Sequence, residues 1–529
     1  MVEIASSRYI QKFFRAIHIA CIAIFILFIS SDSSGREIQD KPAGKRRIDL
    51  RHADEDIIER EQQTGKDWHR LRGNVFLEHN EITLKCDSAY FYPDKNQVNA
   101  FSRIHIEQGD TLDIMGDYLF YDGASEIATL TGNAELINKE TTLLTNSVNY
   151  DVRNEIARYS EGGKIINAEN TLSSRIGIYD LTLNTFYFKD SVRIVNPDYI
   201  LSADTMNYNT ETETAIFAGP SEMKGDSLYL YCEKGWYDTK NNTTSIWQNA
   251  VIDNMQQIIR GDSLFYNEDT GYGQSFGNVT IADTNNNIIV GGNYAWYFKY
   301  PERFMVTDSA LFTQISDSKD SLFLHADTIS AISVIDTAGS EYRLMRAYYS
   351  CKIFSKDLQG KCDSLSYSFR DSVIRFYEEP VLWSKENQLT SDSVALFTKN
   401  RQAERIELYN SAFVVSQVDS VRFNQIKGRS LTGYFKNNDI YKIDINGNGE
   451  SIYYLIDGDE IIGINTAKCS RIEILIDNGN ITDIFEYQNP EGVIDPPSAS
   501  PGENTKLDGF TWHENMRPKK MEDIFKNPY

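Results

Sequence analysis

The residue types that could carry out catalysis or bind a metal are few, and they form no recognisable motif. The chain contains no HExxH motif, no GxSxG nucleophile motif and no glycine-rich phosphate-binding loop. A lone histidine in a strand pattern, such as His105 between Ile104 and Ile106, is most simply an outward polar residue. The seven histidines are His18, His52, His69, His79, His105, His325 and His513. The sequence therefore predicts no catalytic residues, no metal site and no cofactor.

The cysteines likewise give no indication of a redox or zinc site. No pair has CxxC spacing, and the odd number outside the N-terminal apolar segment does not make a disulfide framework. These residues are Cys86, Cys232, Cys351, Cys362 and Cys469. Three of them, Cys86, Cys232 and Cys362, fall in one column of an internal repeat where every residue is small. We therefore interpret them as small packing residues.

The strongest chemical pattern is an acidic residue that recurs about every 29 residues. This acidic column comprises Asp87, Asp117, Asn146, Arg175, Asp204, Glu233, Asp262, Asn293, Asp327, Asp363, Asp392 and Arg429. Stacked carboxylates could bind calcium or cleave sugars, but glycoside hydrolysis needs two carboxylates placed around one bond. This column instead recurs along the whole array and is interrupted by Asn and Arg. It therefore favours a structural role, in which the side chain accepts hydrogen bonds from backbone N–H groups at the start of a strand.

Other columns of the same repeat are small or apolar. The position before the acidic column is always small, and the position two residues after it is apolar or glycine. The position four residues after it is tyrosine in eight units, namely Tyr121, Tyr150, Tyr179, Tyr208, Tyr237, Tyr266, Tyr297 and Tyr367. We predict that the acidic position and these two later positions share one face of a strand.

A second strand is predicted about 16 residues after each acidic position. Residues 277–281 (GNVTI), 73–77 (GNVFL) and 132–136 (GNAEL) are examples, and their apolar and polar residues alternate as in a half-buried strand. The dipeptides Gly-Asn and Asp-Ser, and also Glu379-Pro380, begin these segments and predict turns there.

The alternation of the two strand types predicts an all-β fold. One unit cannot bury its own apolar face, so the units must stack. We expect an elongated, repetitive β-jellyroll or solenoid of about 12 two-strand units with a period of about 29 residues, arranged as a V-shaped stack of two sheets. The repeat is regular over residues 68–310 and irregular, with insertions, over residues 311–487.

The chain ends lie outside this repeat. Residues 1–34 are typical of a secretory signal peptide, with a short uncleaved anchor as the alternative, because basic residues precede a short apolar run. Residues 35–67 are predicted to be a charged leader, and residues 488–529 a Pro-rich linker and C-terminal tail. The apolar tail residues Phe510, Trp512, Ile524 and Phe525 indicate a docking peptide, with a frayed end as the alternative.

The charge of the chain bears on its partners. With 53 Lys and Arg against 76 Asp and Glu, the formal net charge is −23. Nucleic-acid binding requires a cationic surface, so nucleic acid is excluded as a partner.

The repeat resembles the OstA-like (organic solvent tolerance) β-jellyroll, the domain of the periplasmic lipopolysaccharide-transport bridge. The resemblance covers roughly residues 68–487. It rests on the alternation of Gly-Asn strands at residues 73, 132 and 277 with Asp-Ser or Asp-Thr strands at Asp87, Asp204 and Asp262. The chain departs from the bridge protein in being far longer and in having a C-terminal tail.

The resemblance implies a non-enzymatic lipid-transport protein in the periplasm of a Gram-negative bacterium, possessing an apolar groove for the acyl chains of lipopolysaccharide. It also implies contacts with other transport-bridge proteins through sheet edges, and head-to-tail self-association. An acyl chain of about 12 carbons exposed to water costs on the order of 10 kcal/mol, so an aqueous crossing requires an apolar trough. The predicted lining is Val75, Leu77, Ile104, Ile106, Leu119, Tyr121, Leu136, Val148, Val192, Ile194, Met206, Leu264, Val279 and Ile281.

Three alternatives remain open from the residues alone. The inward residues could simply pack a core between sheets. The acidic column could belong to a carbohydrate-active β-helix enzyme, in which replacing Asp204 or Asp262 would abolish activity without unfolding the chain. The array could also be a structural or adhesive solenoid with a filled core.

Overall fold

A computed structural model describes residues 47–526, apart from residues 61–64, 66, 167–169, 227, 256, 316–320, 400–401, 437–438, 459, 478–479 and 498–504. The predicted signal peptide, residues 1–34, and the first part of the leader lie outside the described residues. Among the residues described, no helix is long and apolar enough to cross a membrane. The chain divides into an N-terminal unit, residues 1–131, and a C-terminal unit, residues 132–529.

The described part of the N-terminal unit is built of antiparallel strands. They are β1 (Asp49–His52), β2 (Glu55–Arg60), β3 (Asp67–His79), β4 (Ile82–Tyr92), β5 (Gln97–Gln108), β6 (Leu112–Asp122) and β7 (Ile127–Asn138), which includes the boundary. Two of them, β1 and β2, lie within the predicted charged leader and pair with the two halves of β3. The strand repeat therefore begins before residue 68.

The described part of the C-terminal unit continues the same pattern. Its regular portion contains β8 (Thr141–Asp151), β9 (Ile156–Tyr159), β10 (Gly163–Ile166), β11 (Thr171–Ser174), β12 (Ile176–Asp180), β13 (Thr185–Val195), β14 (Tyr199–Asn209), β15 (Thr214–Phe217), β16 (Ser221–Gly225), β17 (Tyr229–Cys232), β18 (Lys234–Asp238), β19 (Thr243–Asp253), β20 (Gln257–Asn267), β21 (Tyr272–Asp283), β22 (Ile288–Phe298) and β23 (Arg303–Gln314).

The irregular portion also consists of strands. They are β24 (Leu322–Ile335), β25 (Glu341–Phe354), β26 (Gln359–Ser368), β27 (Val373–Tyr377), β28 (Val381–Ser384), β29 (Asn387–Thr390), β30 (Ser393–Lys399), β31 (Gln402–Gln417), β32 (Phe423–Lys436), β33 (Asp439–Asp457), β34 (Glu460–Asp477), β35 (Asn480–Tyr487) and β36 (Glu491–Asp495). Short 3-10 helices follow at Glu514–Met516 and Met521–Phe525. The predicted all-β fold is confirmed.

Each long strand is bent in its middle, which the sequence analysis did not predict. In β21 the bend is Gly277-Asn278, where both residues have positive φ angles of 68° and 47°. The pairing register between β20 and β21 shifts at this point, as in a β-bulge. The predicted turns at Gly-Asn are therefore wrong: the chain reverses elsewhere, for example between Asn267 and Tyr272. Gly and Asn serve here because they tolerate the left-handed conformation.

The bends divide each repeat into two arms, which we call the A arm and the B arm. The A arm holds the residues before the acidic position and the half-strand after the bend, as in residues 257–261 and 279–283. The B arm holds the residues after the acidic position and the half-strand before the bend, as in residues 263–267 and 272–276. One repeat therefore adds two half-strands to each arm.

The acidic position itself lies at the corner between the arms. Asp262 is exposed, whereas Leu264 is buried and Gly261 is half-buried. The prediction that the acidic position shares a face with the positions two and four residues later is wrong, because the bend breaks the alternation there. The small column is explained by close packing: a Cβ at Gly292 would lie 2.6 Å from a Val306 methyl carbon and 2.8 Å from the Thr307 carbonyl oxygen.

Residues of both arms form the apolar interior. In the C-terminal unit, Val279 and Val290 of A arms and Ala295 of a B arm belong to one core cluster. The cysteines Cys86, Cys232, Cys351, Cys362 and Cys469 are buried and free. Their burial fits their interpretation as packing residues.

Candidate functional site

The fourteen predicted groove residues all point into the interior of their own unit. Thirteen of them are at most 6% exposed, and Ile281 is half-buried. The structure brings the first six together in the N-terminal unit and the other eight in the C-terminal unit. In the described residues they behave as core side chains packed between the A and B arms.

Polar side chains join the two arms at places where the interior would otherwise open. In the N-terminal unit, Nδ1 of His79 on an A arm lies 2.6 Å from the hydroxyl oxygen of Tyr121 on a B arm. In the C-terminal unit, Asn138 donates to the hydroxyl of Tyr179 at 2.9 Å. Burial raises the pKa of both Tyr121 and Tyr179, so these hydroxyl groups remain neutral. At these two positions a tyrosine of the column thus connects the arms through a buried hydrogen bond.

The interior is less tightly closed in the middle of the C-terminal unit. Ile252, Ile259 and Ile281 are cross-strand neighbours in one row of the A arm, and all three are half-buried. The row continues into Leu230 and Val290, which are 5% and 4% exposed. The three isoleucines therefore form a local apolar surface that water can reach from inside the repeat.

The tyrosine column is also less buried in this part of the unit. Tyr266 and Tyr297 are half-buried, as are Tyr208 and Tyr237 before them, whereas the equivalent Tyr150 is fully buried. Gly273 lies between Tyr266 and Tyr297 in the pairing register and has no side chain to fill the space. We call Ile252, Ile259, Ile281, Tyr266 and Tyr297 the open row. Of these five residues, only Ile281 belongs to the predicted groove lining, because periodicity does not reveal how tightly a position packs.

A small cavity lies in an earlier part of the C-terminal unit, and no residue of the open row lines it. Its volume is about 20 Å³, and its lining includes Phe186, Leu201, Tyr208 and Tyr237. This volume suits about one water molecule and is too small for an acyl chain. An acyl chain could therefore enter this cavity only if its walls moved apart.

The acidic column has a structural role in the described residues. Asn278 donates to Asp262 at 3.1 Å, and Asn249 donates to Glu233 at 2.7 Å. Each donor is the second residue of the neighbouring bend, so the carboxylate fixes the bend with a side-chain hydrogen bond. The predicted acceptance from backbone N–H groups is replaced by these side-chain contacts at both positions.

Two variations of the column support this role. Arg103 donates to Asp87, and with Ser102 it lowers the pKa of that carboxyl. Where the column contains Arg175, the bend supplies Asp190, and their charged atoms lie 2.5 Å apart. The ion pair is thus preserved when its two members exchange places. The residue type in the acidic column therefore complements the residue type in the neighbouring bend, as a structural contact requires.

An additional member of the column was missed in the sequence. Asp54 lies between β1 and β2, and Asn74 of the next bend donates to it at 2.9 Å. A Cβ at Gly73 would collide with the Asp54 carboxylate, just as one at Gly277 would collide with Asp262. Asp54 lies in the charged segment predicted to be a leader, where one acidic residue among several gives no repeat signal.

One group of side chains in the N-terminal unit has the composition of a cation site. The ligand atoms of His105, Glu107 and Asp113 all lie within 4.8 Å of one another. His105 already contacts Asp113 at 2.6 Å, and Lys85 and Thr83 hydrogen-bond to Glu107 and lower its pKa. These polar groups satisfy one another. His105 is an outward polar residue, as predicted, with partners that the sequence did not reveal.

The predicted docking residues of the tail contact the outer surface of the C-terminal unit. Phe510 and Trp512 both pack on Phe423, with ring centroids 5.2 Å apart in each pair. Ile524 is fully buried, and Phe525 lies 4.8 Å from the His325 ring while remaining partly exposed. The tail therefore binds the chain that carries it.

Bent antiparallel strands around an apolar interior define a β-jellyroll repeat protein. Residues 45–204 match the family model described as OstA-like protein, so the chain is similar to that family over this segment. The match includes β1 and β2 of the predicted leader. A search of curated proteins finds no match.

Proposed function

We propose that this protein is a non-enzymatic, periplasmic lipid-transport protein. It carries or bridges lipopolysaccharide towards the outer membrane and shields the acyl chains in its apolar interior. The family match over residues 45–204 supports the lipid-transport role. The open row supports the choice of interior, because it is apolar and only half-buried.

Acyl chains enter where the arms separate most easily. At positions closed by Asn138 and Tyr179, separation breaks a buried hydrogen bond, which costs about 1–3 kcal/mol. At the open row, separation exposes isoleucine surface that is already partly wet. Each acyl CH₂ that then replaces water gains about 0.8 kcal/mol, so a chain of several carbons offsets local opening.

Sheet edges provide the contacts with neighbouring proteins. β36 pairs with β34, and all five of its residues are exposed. An exposed strand presents unpaired backbone groups to another chain, so partner transport proteins or a second copy add strands there. Head-to-tail addition of this kind can extend an apolar path from one copy to the next.

Site-specific photocrosslinking in cells tests the cargo. A photoreactive residue at Ile252, Ile259 or Ile281 is expected to crosslink to lipopolysaccharide. The same residue at Arg260, which is exposed and adjacent to Ile259, serves as the matched control and should give little product. Absence of lipopolysaccharide adducts at every open-row position would contradict the proposal and favour a structural solenoid.

The same cells separate transport from carbohydrate chemistry. Asp204 and Asp262 act at corners, so Asp262→Asn should leave lipopolysaccharide crosslinking unchanged. If Asp262→Asn instead abolished a sugar-cleaving activity while the protein remained folded, the enzyme alternative would replace the transport proposal.

A further inference from the structure

The outer face of the C-terminal unit has a second buried surface that the interior does not explain. Six residues follow one another as cross-strand partners through β26, β28, β29, β31, β32 and β33, in the order Gln359, Trp383, Gln388, Val415, Gln425 and Ile452. All six are at most 5% exposed. The adjacent residues Leu382, Leu389 and Val414 belong to the interior core, so the six face the opposite side. We call them the outer row.

The tail covers the outer row through its backbone. Gln388 donates to the Thr511 carbonyl at 2.8 Å and accepts from the His513 N–H at 2.7 Å. Gln425 makes the same pair of contacts with the Thr505 carbonyl, at 2.7 Å, and the Leu507 N–H, at 2.9 Å. Each glutamine amide thus binds a carbonyl and an N–H two residues apart, as a neighbouring strand would.

The contacts repeat with the period of the array. The third glutamine, Gln359, accepts from the Arg517 guanidinium at 2.9 Å and 2.8 Å. Contacts at Thr505, Thr511 and Arg517 are six tail residues apart, while successive glutamines are two strands, or about 10 Å, apart. A turn between Leu507 and Phe510 shortens the path. The tail therefore crosses one repeat unit in every six residues.

Lysine side chains add further contacts to the tail backbone, and apolar packing gives the surface its selectivity. A parallel row includes Lys352, Lys361 and Lys427, and it supplies ammonium groups to the tail. Lys352 donates to the Lys526 carbonyl, and Lys427 donates to the Asp508 carbonyl at 3.3 Å. Phe423 receives Phe510 and Trp512, while Ile524 is fully buried. Backbone contacts hold an extended chain, and these side chains select this sequence.

The connection to the tail is longer than binding within one chain requires. β36 ends at Asp495, opposite Ile464, and Gln425 lies two strands from β34. Because β36 lies one strand beyond β34, three strand spacings and an offset of two residues along the strands amount to about 16 Å. Ten residue steps from Asp495 to Thr505 can span about 33 Å. The tether therefore does not restrict the tail to its own chain.

We propose that the outer row is a polypeptide-binding groove that accepts residues 505–526 of a second copy as well as those of its own chain, so that tail exchange links copies. Every contact that holds the tail lies within residues 505–526, so exchange between two copies loses none of them. At low concentration the tethered tail occupies its own groove, because the tether gives it a high effective concentration. Exchange becomes visible when one copy has a free groove and another has a free tail.

Two full-length variants create that situation. The groove variant, Gln388→Ala with Gln425→Ala, retains an intact tail but loses both backbone-binding amides. The tail variant, Phe510→Ala with Trp512→Ala, retains an intact groove but loses both aromatic contacts. Each variant alone should sediment with the mass of a single copy. Mixing them at equal concentration should produce a species of twice that mass, measured by analytical ultracentrifugation.

The controls determine what a negative result means. Gln402→Ala, at an exposed glutamine outside the outer row, should behave as the unaltered chain. A milder pair, Gln425→Asn and Trp512→Leu, repeats the mixing if circular dichroism indicates that either first variant is unfolded. The mixing is done at about 100 µM, which is below the effective concentration of a tail tethered to its own groove. If folded variants give no mixed species at that concentration, the groove accepts only its own tail and the proposal is overturned.

Discussion

Nδ1 of His79 and the hydroxyl oxygen of Tyr121 lie 2.6 Å apart and connect the A and B arms of the N-terminal unit. Both residues are at most 4% exposed, so the bond is shielded from water. Tyr121→Phe removes it and should lower the free energy of unfolding by about 1–2 kcal/mol, measured by denaturant titration. Tyr187→Phe, at a residue 38% exposed, is the control and should have almost no effect. Equal losses for both variants would show that the cross-arm bond has no special weight.

Buried tyrosines inside and outside the tyrosine column also make stability depend on pH. Burial raises the pKa of Tyr159 and of Tyr297 to about 12, against about 10 for an exposed tyrosine. Above pH 10 the unfolded chain loses phenolic protons that the folded chain keeps. The free energy of unfolding should therefore fall between pH 10 and pH 12.

Absorbance of tyrosinate near 295 nm checks this prediction alongside the unfolding transition. The buried tyrosines should ionise only as the protein unfolds, in one cooperative step. Tyr159→Phe should make stability less sensitive to pH in this range. Ionisation of all tyrosines near pH 10 without unfolding would contradict the burial of Tyr159 and Tyr297.

The column spacing was sufficient to predict an all-β repeat, because a period of about 29 residues leaves room for two strands and their turns. The bends were not predictable from the same pattern. Gly277-Asn278 has the composition of a turn, and only pairing on both sides shows that the strand continues through it. The unit at Asp54 is not evident from the sequence because Asp54 stands among other charged residues of the predicted leader, and only its contact with Asn74 distinguishes it.

The outer row has a recurring pattern in the sequence. Gln359, Gln388 and Gln425 all lie four residues before the acidic column, in three successive units. Because a glutamine amide is typical of no one kind of site, its recurrence alone does not predict a binding surface. The openness of the interior had no sequence signal, since the same alternation arises whether side chains or cargo fill the space between the arms.

The bend at Gly277 gives a direct test of corner geometry. Gly277→Ala should lower the melting temperature, because its φ of 68° costs an L residue about 1–2 kcal/mol and the new Cβ collides with the Asp262 carboxylate. Gly273→Ala in the same strand is the matched control, because its Cβ would meet only ordinary contacts of 3.4 Å or more. A smaller loss for Gly277→Ala than for Gly273→Ala would contradict the assigned bend.

The buried cysteines should resist alkylation in the folded protein. Burial raises the pKa of Cys86 and of Cys232 to about 12, so the thiolate fraction at pH 8 is very small. Iodoacetamide should label neither residue until denaturant is added, as measured by mass spectrometry. Rapid labelling of Cys86 or Cys232 in the folded protein would show that its strand opens readily.

The open row and the closed core can be separated within one strand. Ile281 is half-buried and Val279 is 1% exposed, and both point inward from the A arm of β21. Val279→Asn should lower the free energy of unfolding by several kcal/mol, because it buries a polar amide that has no hydrogen-bond partner there. Ile281→Asn should cost much less stability and still weaken lipid binding, because it places an amide where acyl carbons would lie. Denaturant titration measures the first effect, and lipopolysaccharide crosslinking from Ile259 measures the second. If Ile281→Asn left crosslinking unchanged, the open row would not be the place where the acyl chains bind.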